Sequence, residues 1–313
     1  MNAPATALAP VRPASPQARA HRLRLRSGYV VVGALLLCLA VYGFDYYMLP
    51  ATARPFSPKH VLLKPSGAIG LKLGFLGLAM FFAIFLYPLR KAWPWLGRQG
   101  NARHWLDFHV LLGLSAPFVI AFHSSFKFAG FAGMAFWIMV TVSLSGVVGR
   151  YLYSQIPRSL NAAEISLNEL KEMQERSSAH LAQQRFLPQS DLRSLLRLPS
   201  REKVERLPMV VALLYMFGLD VARAFRIARL RRHALSITKK FTTLGGVLPT
   251  RYTDLERTIS IAREESSLAK RALFLARTQQ VFHLWHVVHK PFSYSFAALA
   301  LVHIIVVMLM GYF

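Results

Sequence analysis

The sequence predicts an all-α membrane protein: a bundle of five transmembrane helices with a long cytoplasmic helical insertion. Two observations support this prediction. The chain of 313 residues is 54% hydrophobic, and its apolar residues stand in runs long enough to cross a hydrocarbon core of about 30 Å. Its 38 Lys and Arg residues, against 14 Asp and Glu, flank those runs, as the positive-inside rule and anionic lipid headgroups require. Nucleic acid is therefore the weaker explanation of the charge.

The elements follow in chain order. Residues 1–27, rich in Ala, Pro and Arg, are predicted to form a disordered basic tail. The first apolar run could instead be a signal peptide, because residues 51–53 have the small-x-small form of a cleavage site. It is long for such a peptide, and a retained signal anchor is favoured. The predicted spans are residues 28–49, 66–89, 105–126, 129–153 and 285–313.

Residues 154–282 are mostly polar and form the predicted insertion, whose last part, residues 253–280, is expected to run directly into the final span. One segment of the insertion, residues 207–219, is apolar but well short of the roughly 20 residues that a span needs. It is expected to be an interfacial or re-entrant helix. Nine Lys and Arg residues precede this segment in the insertion, and thirteen follow it. A sixth span here would place one basic block outside, so five spans are favoured in a bacterial inner membrane, with the N-terminus inside and the C-terminus outside.

Four histidines lie inside apolar runs. His109 and His123 are in the third span and His289 and His303 in the last, and the two pairs have the same spacing. At about 100° per residue, this spacing comes within roughly 40° of four full turns, so both members of a pair share one helix face, about 21 Å apart. Two such helices present four imidazoles at two depths, as two haems would require. Neutral imidazole suits low-spin iron, and a second axial imidazole favours electron transfer over oxygen chemistry.

The number of spans decides which histidines pair. Five spans make the third and last helices parallel, which predicts an inner pair of His109 with His289 and an outer pair of His123 with His303. Six spans would reverse the pairs, to His109 with His303 and His123 with His289. Cys38 is the only cysteine, so the haems would be bound without a covalent thioether link.

Residues near the histidines are candidates to contact the haem. Gly113, one turn beyond His109, would let a porphyrin approach the backbone. Four glycines in the second span suit the close approach of a helix or of a macrocycle. Cations at the span ends are candidate partners of the haem propionates, although each could be a snorkelling anchor instead. The glycines are Gly67, Gly70, Gly74 and Gly77, and the cations are Arg90, Arg103, Arg150 and Lys127.

A second group of histidines leaves alternatives open. His283, His286 and His289 recur at every third position, and His289 is taken as the ligand because it lies closest in rotation to His303. His286 could bind a propionate, a quinone, or a further haem together with His104. The remaining histidines lie in polar segments and are assigned no function: His21, His60, His180 and His233.

The paired histidines, equally spaced on each of two helices, resemble those of diheme transmembrane cytochromes b, particularly the ferric-reductase and NADPH-oxidase type. The resemblance covers the second to fourth spans and the last one, roughly a third of the chain. It implies two stacked b haems that carry electrons across the membrane. The long insertion lies outside this pattern. No flavin or nicotinamide domain is expected, because there is no GxGxxG motif and the sequence ends directly after the last span.

The expected function is therefore that of an electron-transfer subunit in a redox chain. It would connect a cytoplasmic or quinone-side partner with an acceptor at the outer face, and the insertion would dock the donor or another subunit. The alternative is a haem-free membrane scaffold or transporter in which the histidines relay protons. It is less favoured because Asp45 and Asp107 lie only at span ends, and no ladder of carboxylates crosses the membrane.

Overall fold

The computed structural model describes residues 16–156, 197–234, 249–250 and 252–311. Within these ranges the regular structure is helical and contains no β-strand, which confirms the predicted all-α fold. The chain divides into two compact units. The first unit comprises Met1–Val147 and His289–Phe313, and the second unit comprises Val148–Val288.

Among the described residues, five helices are long and apolar enough to cross a membrane, as predicted. They are α1 (Pro16–Met48), α3 (Ala68–Ala92), α5 (Ala102–His123), α6 (Gly130–Gln155) and α9 (Thr253–Leu309). Between them, in the part of the chain that the structure describes, lie a 3-10 helix (Arg54–Phe56) and four shorter or less apolar α-helices: α2 (His60–Leu63), α4 (Pro94–Gly97), α7 (Arg201–Arg206) and α8 (Met209–Ala234).

Helix α1 begins earlier than the sequence suggested. Residues 16–27, which were predicted to belong to a disordered tail, form its first turns, and residues 1–15 lie outside the described residues. Arg and Leu, which alternate here, have high helix propensity. A tertiary contact also holds these turns, because the His21 imidazole is buried against the carboxylate of Asp107. The basic sequence therefore continues the helix beyond its apolar run.

In the first unit, α5 packs against both α3 and α1. Asn101 caps the start of α5, since its side chain accepts the Arg103 backbone N–H at 2.9 Å. Helices α3 and α5 approach closely at Gly77, where a Cβ atom would lie 2.4 Å from Ile120 Cδ1. The core around this contact includes residues from α1, α3, α5 and α6, among them Tyr46, Leu73, Val119, Phe122 and Met139.

In the second unit, α8 packs along the charged half of α9. Helix α8 has 26 residues, twice the length of the apolar segment at 207–219, and is not among the five span-like helices. Helix α9 continues without interruption through Pro291, which confirms that residues 253–280 lead directly into the last apolar helix. Asp220 of α8 is bound by Lys270 of α9, whose Nζ lies 2.5 Å from the carboxylate. Lys270 is only 1% exposed.

Candidate functional site

Both histidines of α5 are held by backbone carbonyls of α3. His109 Nδ1 lies 3.0 Å from the Ile84 carbonyl oxygen, and His123 Nδ1 lies 2.8 Å from that of Gly70. A carbonyl can only accept, so each ring donates from Nδ1, which leaves Nε2 as the unprotonated nitrogen. Metal-binding histidines commonly have this arrangement, in which the second ring nitrogen donates to a carbonyl or carboxylate.

His123 lies directly on the glycine face of α3. A Cβ atom on Gly74 would be 2.7 Å from His123 Cε1, so only glycine leaves room for the ring. The other glycines of this face make room for protein atoms. A Cβ at Gly67 or Gly70 would meet the backbone before α3, and one at Gly77 would meet Ile120. The ridge thus serves close packing and the seating of one imidazole.

His289 is held by a serine of α6. Its Nδ1 lies 2.7 Å from Ser145 Oγ, which also lies 2.8 Å from the Val142 carbonyl oxygen. The hydroxyl can either accept from the ring or donate to it, so this contact orients the His289 ring without fixing its tautomer. His303 has no comparable hydrogen bond among the residues that the structure describes.

The contacts of α6 place the histidines of α9 relative to those of α5. Ser143 Oγ donates to the Gly113 carbonyl at 2.9 Å, one turn along α5 from His109. Ser145 is two positions further along α6 and contacts His289, so His289 lies near the level of His109. The pairing of His109 with His289 and of His123 with His303 stays a prediction.

Gly113, one turn from His109 on α5, has open space beside it. A Cβ atom on Gly113 would meet no atom within 4 Å, and the Tyr87 ring centroid lies 5.2 Å from that of His109. In the described residues, no three His, Cys, Asp or Glu side chains are grouped to hold a metal ion. A haem needs only two protein ligands, so a haem site would not require such a group, and His109, His123, His289 and His303 stay predicted ligands.

The cations predicted as propionate partners lie in different surroundings. Arg103 and Lys127 are exposed, and Arg150 is half-buried in the second unit. The Arg90 guanidinium, in contrast, donates to the carbonyl oxygens of Gly97 and Gly100. Arg90 therefore anchors the loop after α3.

The second histidine group separates into two local clusters. In the second unit, His286 Nδ1 lies 3.1 Å from the Phe282 carbonyl of its own helix, and its ring meets the edges of Phe282 and Trp285. In the first unit, His104 is stacked on His21 with ring centroids 3.7 Å apart. The expected role of His104 as a haem partner of His286 thus remains a prediction, and His104 has an imidazole neighbour of its own.

Sequence reasoning missed two residues that contact the predicted histidines: His21 beside His104 and Ser145 beside His289. His21 was assigned no function, yet its Nε2 lies 2.9 Å from Asp107 Oδ2, and both residues are only 8% exposed. The acid in an apolar helix was the available signal, because a buried carboxylate requires a partner. Ser145 had no comparable signal, since small polar residues are common where membrane helices pack.

Comparison with protein-family models, with curated proteins and with solved structures finds no match for this chain. Its functional assignment therefore depends on the sequence and on the geometry of the first unit.

Proposed function

We propose that this chain is an integral membrane cytochrome of the b type, which binds two haems without covalent attachment and passes electrons across the bilayer. His109 and His289 would hold the inner haem, and His123 and His303 the outer one. The chain would serve as one subunit of a redox chain. Its electron donor would act on the cytoplasmic side, directly or through a quinone, and its acceptor at the outer face.

The observation that supports this proposal most strongly is the orientation of the rings. In three of the four imidazoles, those of His109, His123 and His289, Nδ1 lies within hydrogen-bond distance of an oxygen. Where that oxygen is a backbone carbonyl, at His109 and His123, the ring donates from Nδ1, which would leave Nε2 to bind iron, and the acceptor raises the basicity of the ring. Two of the acceptors are backbone carbonyls, which cannot pass a proton onwards. A proton relay is therefore the weaker use of these histidines.

The residues around the histidines would have separate roles in holding the haems. A bound haem supplies a one-electron carrier, and two axial imidazoles leave its iron no open position for oxygen. The carbonyls of Ile84 and Gly70 hold two of the rings in one tautomer, Ser145 orients the His289 ring, and Gly113 leaves open space beside His109. The apolar bundle keeps water from the pairs, which strengthens every electrostatic interaction within them.

The test is an optical spectrum of the full-length protein, purified in detergent after haem-sufficient expression. The expected result is a reduced-minus-oxidised b-type band, low-spin iron by electron paramagnetic resonance, and two haems per chain. His123→Ala and His303→Ala should each lose the outer haem, and His109→Ala and His289→Ala the inner one. His60→Ala is the matched control, because His60 contacts Tyr46 outside the pairs.

The possible outcomes are distinct. A colourless full-length protein with native helix content would overturn the proposal and favour the haem-free scaffold. Retention of both haems in His123→Ala and His303→Ala would also contradict it. If His109→Ala and His303→Ala lost the same haem, the haems would stand and the parallel pairing would be wrong.

A further inference from the structure

The loop between α3 and α5, residues 93–101, is held by side chains of both helices. From the end of α3, the Arg90 guanidinium donates to the Gly97 carbonyl oxygen at 2.8 Å. From the start of α5, the Trp105 indole N–H donates to the Gln99 carbonyl oxygen, also at 2.8 Å. These bonds satisfy backbone acceptors of the loop, so they fix its position within the first unit.

Two tryptophans of this loop are left on the surface. Trp93 and Trp95 are 55% and 69% exposed, whereas the next residue, Leu96, is only 8% exposed and is turned inwards. An indole ring has a large apolar body and a single polar N–H group. Because the loop is held in place, the two rings form an exposed apolar surface with a defined position.

The charges beside the tryptophans are positive. Lys91 precedes them and Arg98 follows them, and both side chains are exposed. The sequence has no Asp or Glu between Asp45 and Asp107, and the Asp107 carboxylate is bound to His21. Two apolar rings between two cations complement a surface that is apolar below and anionic above.

The position of the loop in the first unit favours a bilayer as this surface. Helices α3 and α5 pack against each other, and each is apolar enough to cross a membrane. The short loop that joins them therefore lies at the membrane face where both helices end. Tryptophan is enriched at this depth, and nearby Lys and Arg side chains attract anionic lipid headgroups.

We propose that the loop between α3 and α5 is a binding site for anionic phospholipid. Trp93 and Trp95 lie at the boundary between headgroups and acyl chains, and Lys91 and Arg98 bind the lipid phosphate. This contact requires no haem, so it stands or falls separately from the proposed function.

The test is quenching of tryptophan fluorescence in the full-length protein in phosphatidylcholine nanodiscs. The discs receive the same small fraction of brominated lipid, either phosphatidylglycerol or phosphatidylcholine. The brominated phosphatidylglycerol should quench more strongly, and bromine near the headgroup more strongly than bromine near the chain end. Trp93→Phe and Trp95→Phe should each reduce the difference between the two lipids. Trp137→Phe, which removes an exposed indole of α6, is the matched control and should preserve it.

Removal of the cations tests the anionic headgroup. In Lys91→Gln or Arg98→Gln, the enrichment of phosphatidylglycerol over phosphatidylcholine at the loop should fall about two- to fivefold. Lys72→Gln removes an exposed cation at the other end of α3 and should leave the enrichment unchanged. Circular dichroism checks that each variant is folded.

Three results would overturn the proposal. The first is equal quenching of the wild-type protein by the two brominated lipids. The second is stronger quenching by bromine near the chain end, since this would place the rings deep among the acyl chains. The third is emission that acrylamide quenches from water and neither lipid quenches, since the loop would then face solvent and be open to a protein partner.

Discussion

At the scale of single residues, the register between α3 and α5 determines the hydrogen-bond partners of two histidine rings. The carbonyls of Gly70 and Ile84 are as far apart in the chain as the rings that they accept from, His123 and His109. Because the helices are antiparallel, the first carbonyl pairs with the second ring and the second carbonyl with the first. The same kind of hydrogen bond, from a ring Nδ1 of α5 to a backbone carbonyl of α3, is thus made at two levels of the helix pair. A histidine that only filled a space between helices would need no such repeat.

Gly74→Ala tests the seating of His123. The added methyl group would lie within contact distance of the imidazole, so the ring must turn out of its bond to the Gly70 carbonyl. We expect haem content to fall from two to one per chain, with loss of the outer haem only, as measured by pyridine haemochromogen assay. Gly33→Ala, where the added atom meets nothing within 4 Å, should keep both haems. If the Gly74→Ala variant kept two haems, the proposed position of the His123 ring against Gly74 would be contradicted.

Ser145→Ala tests the hydrogen-bond partner of His289. Without the hydroxyl, Nδ1 of the ring loses the oxygen seen at 2.7 Å, and loss of such an outer partner typically weakens metal binding about 10- to 100-fold. The inner haem should therefore transfer faster to an apo-globin scavenger, which is followed optically. Thr141→Ala removes another hydroxyl of α6 that bonds only within the helix and should not change the transfer rate. If haem transferred at the same rate from Ser145→Ala and Thr141→Ala, the proposed role of Ser145 would be contradicted.

At the scale of elements, the start of α1 is held by one buried pair. His21 is stacked on His104 and bonded to Asp107, so the basic first turns of α1 are fixed to α5 although they carry few apolar residues. A buried polar group that loses its partner costs about 1–3 kcal/mol. The stability of this end therefore depends on the His21 side chain more than on helix propensity.

His21→Ala should open the first turns of α1. Local unfolding would expose Arg22, Arg24 and Arg26, so limited trypsin digestion of the full-length protein should cut there at least several-fold faster. Leu23→Ala is the control, since Leu23 is largely exposed in the same turn. Cleavage at wild-type speed in His21→Ala would show that the pair does not hold this end.

The contact between α8 and α9 depends in part on a buried ionic network. Asp220 accepts from Lys270, Tyr151 and Arg223. In Asp220→Ala the ammonium group of Lys270 stays buried without this carboxylate, which costs about 3–5 kcal/mol. Hydrogen exchange should show much faster opening of α8. The control is Glu205→Ala, which removes an exposed ion pair with Arg201 and should lower the free energy of unfolding by at most about 1 kcal/mol. If both variants lost the same free energy of unfolding, the role of the buried network would be contradicted.

At the scale of the whole molecule, the proposed five crossings would place the two chain ends on opposite sides of the membrane. In a Cys38→Ser background, Asn2→Cys and Ser260→Cys should react with an impermeant thiol reagent from the same side, and Tyr312→Cys from the other. Right-side-out and inverted vesicles make the comparison, and a detergent-solubilised sample confirms that each thiol can react. If α8 crossed as a sixth span, Ser260→Cys would react from the side opposite to Asn2→Cys.

The sequence by itself determined the features that are local in the chain. Length and composition of the apolar runs predicted five long apolar helices, and helical periodicity placed His109 and His123 on one face, because both depend only on neighbouring residues. The predicted start of the first helix was wrong, because it depends on a contact that is not local: the partner of His21 lies 86 positions away.

Only the tertiary structure decided what each histidine can do. The bonds that orient the rings of His109, His123 and His289 join residues 25, 53 and 144 positions apart. Sequence periodicity predicts the helix face on which a histidine lies, but it does not predict the hydrogen-bond partner of the ring. That choice depends on the register of helices packed in three dimensions, which decides the hydrogen-bond partner of each ring.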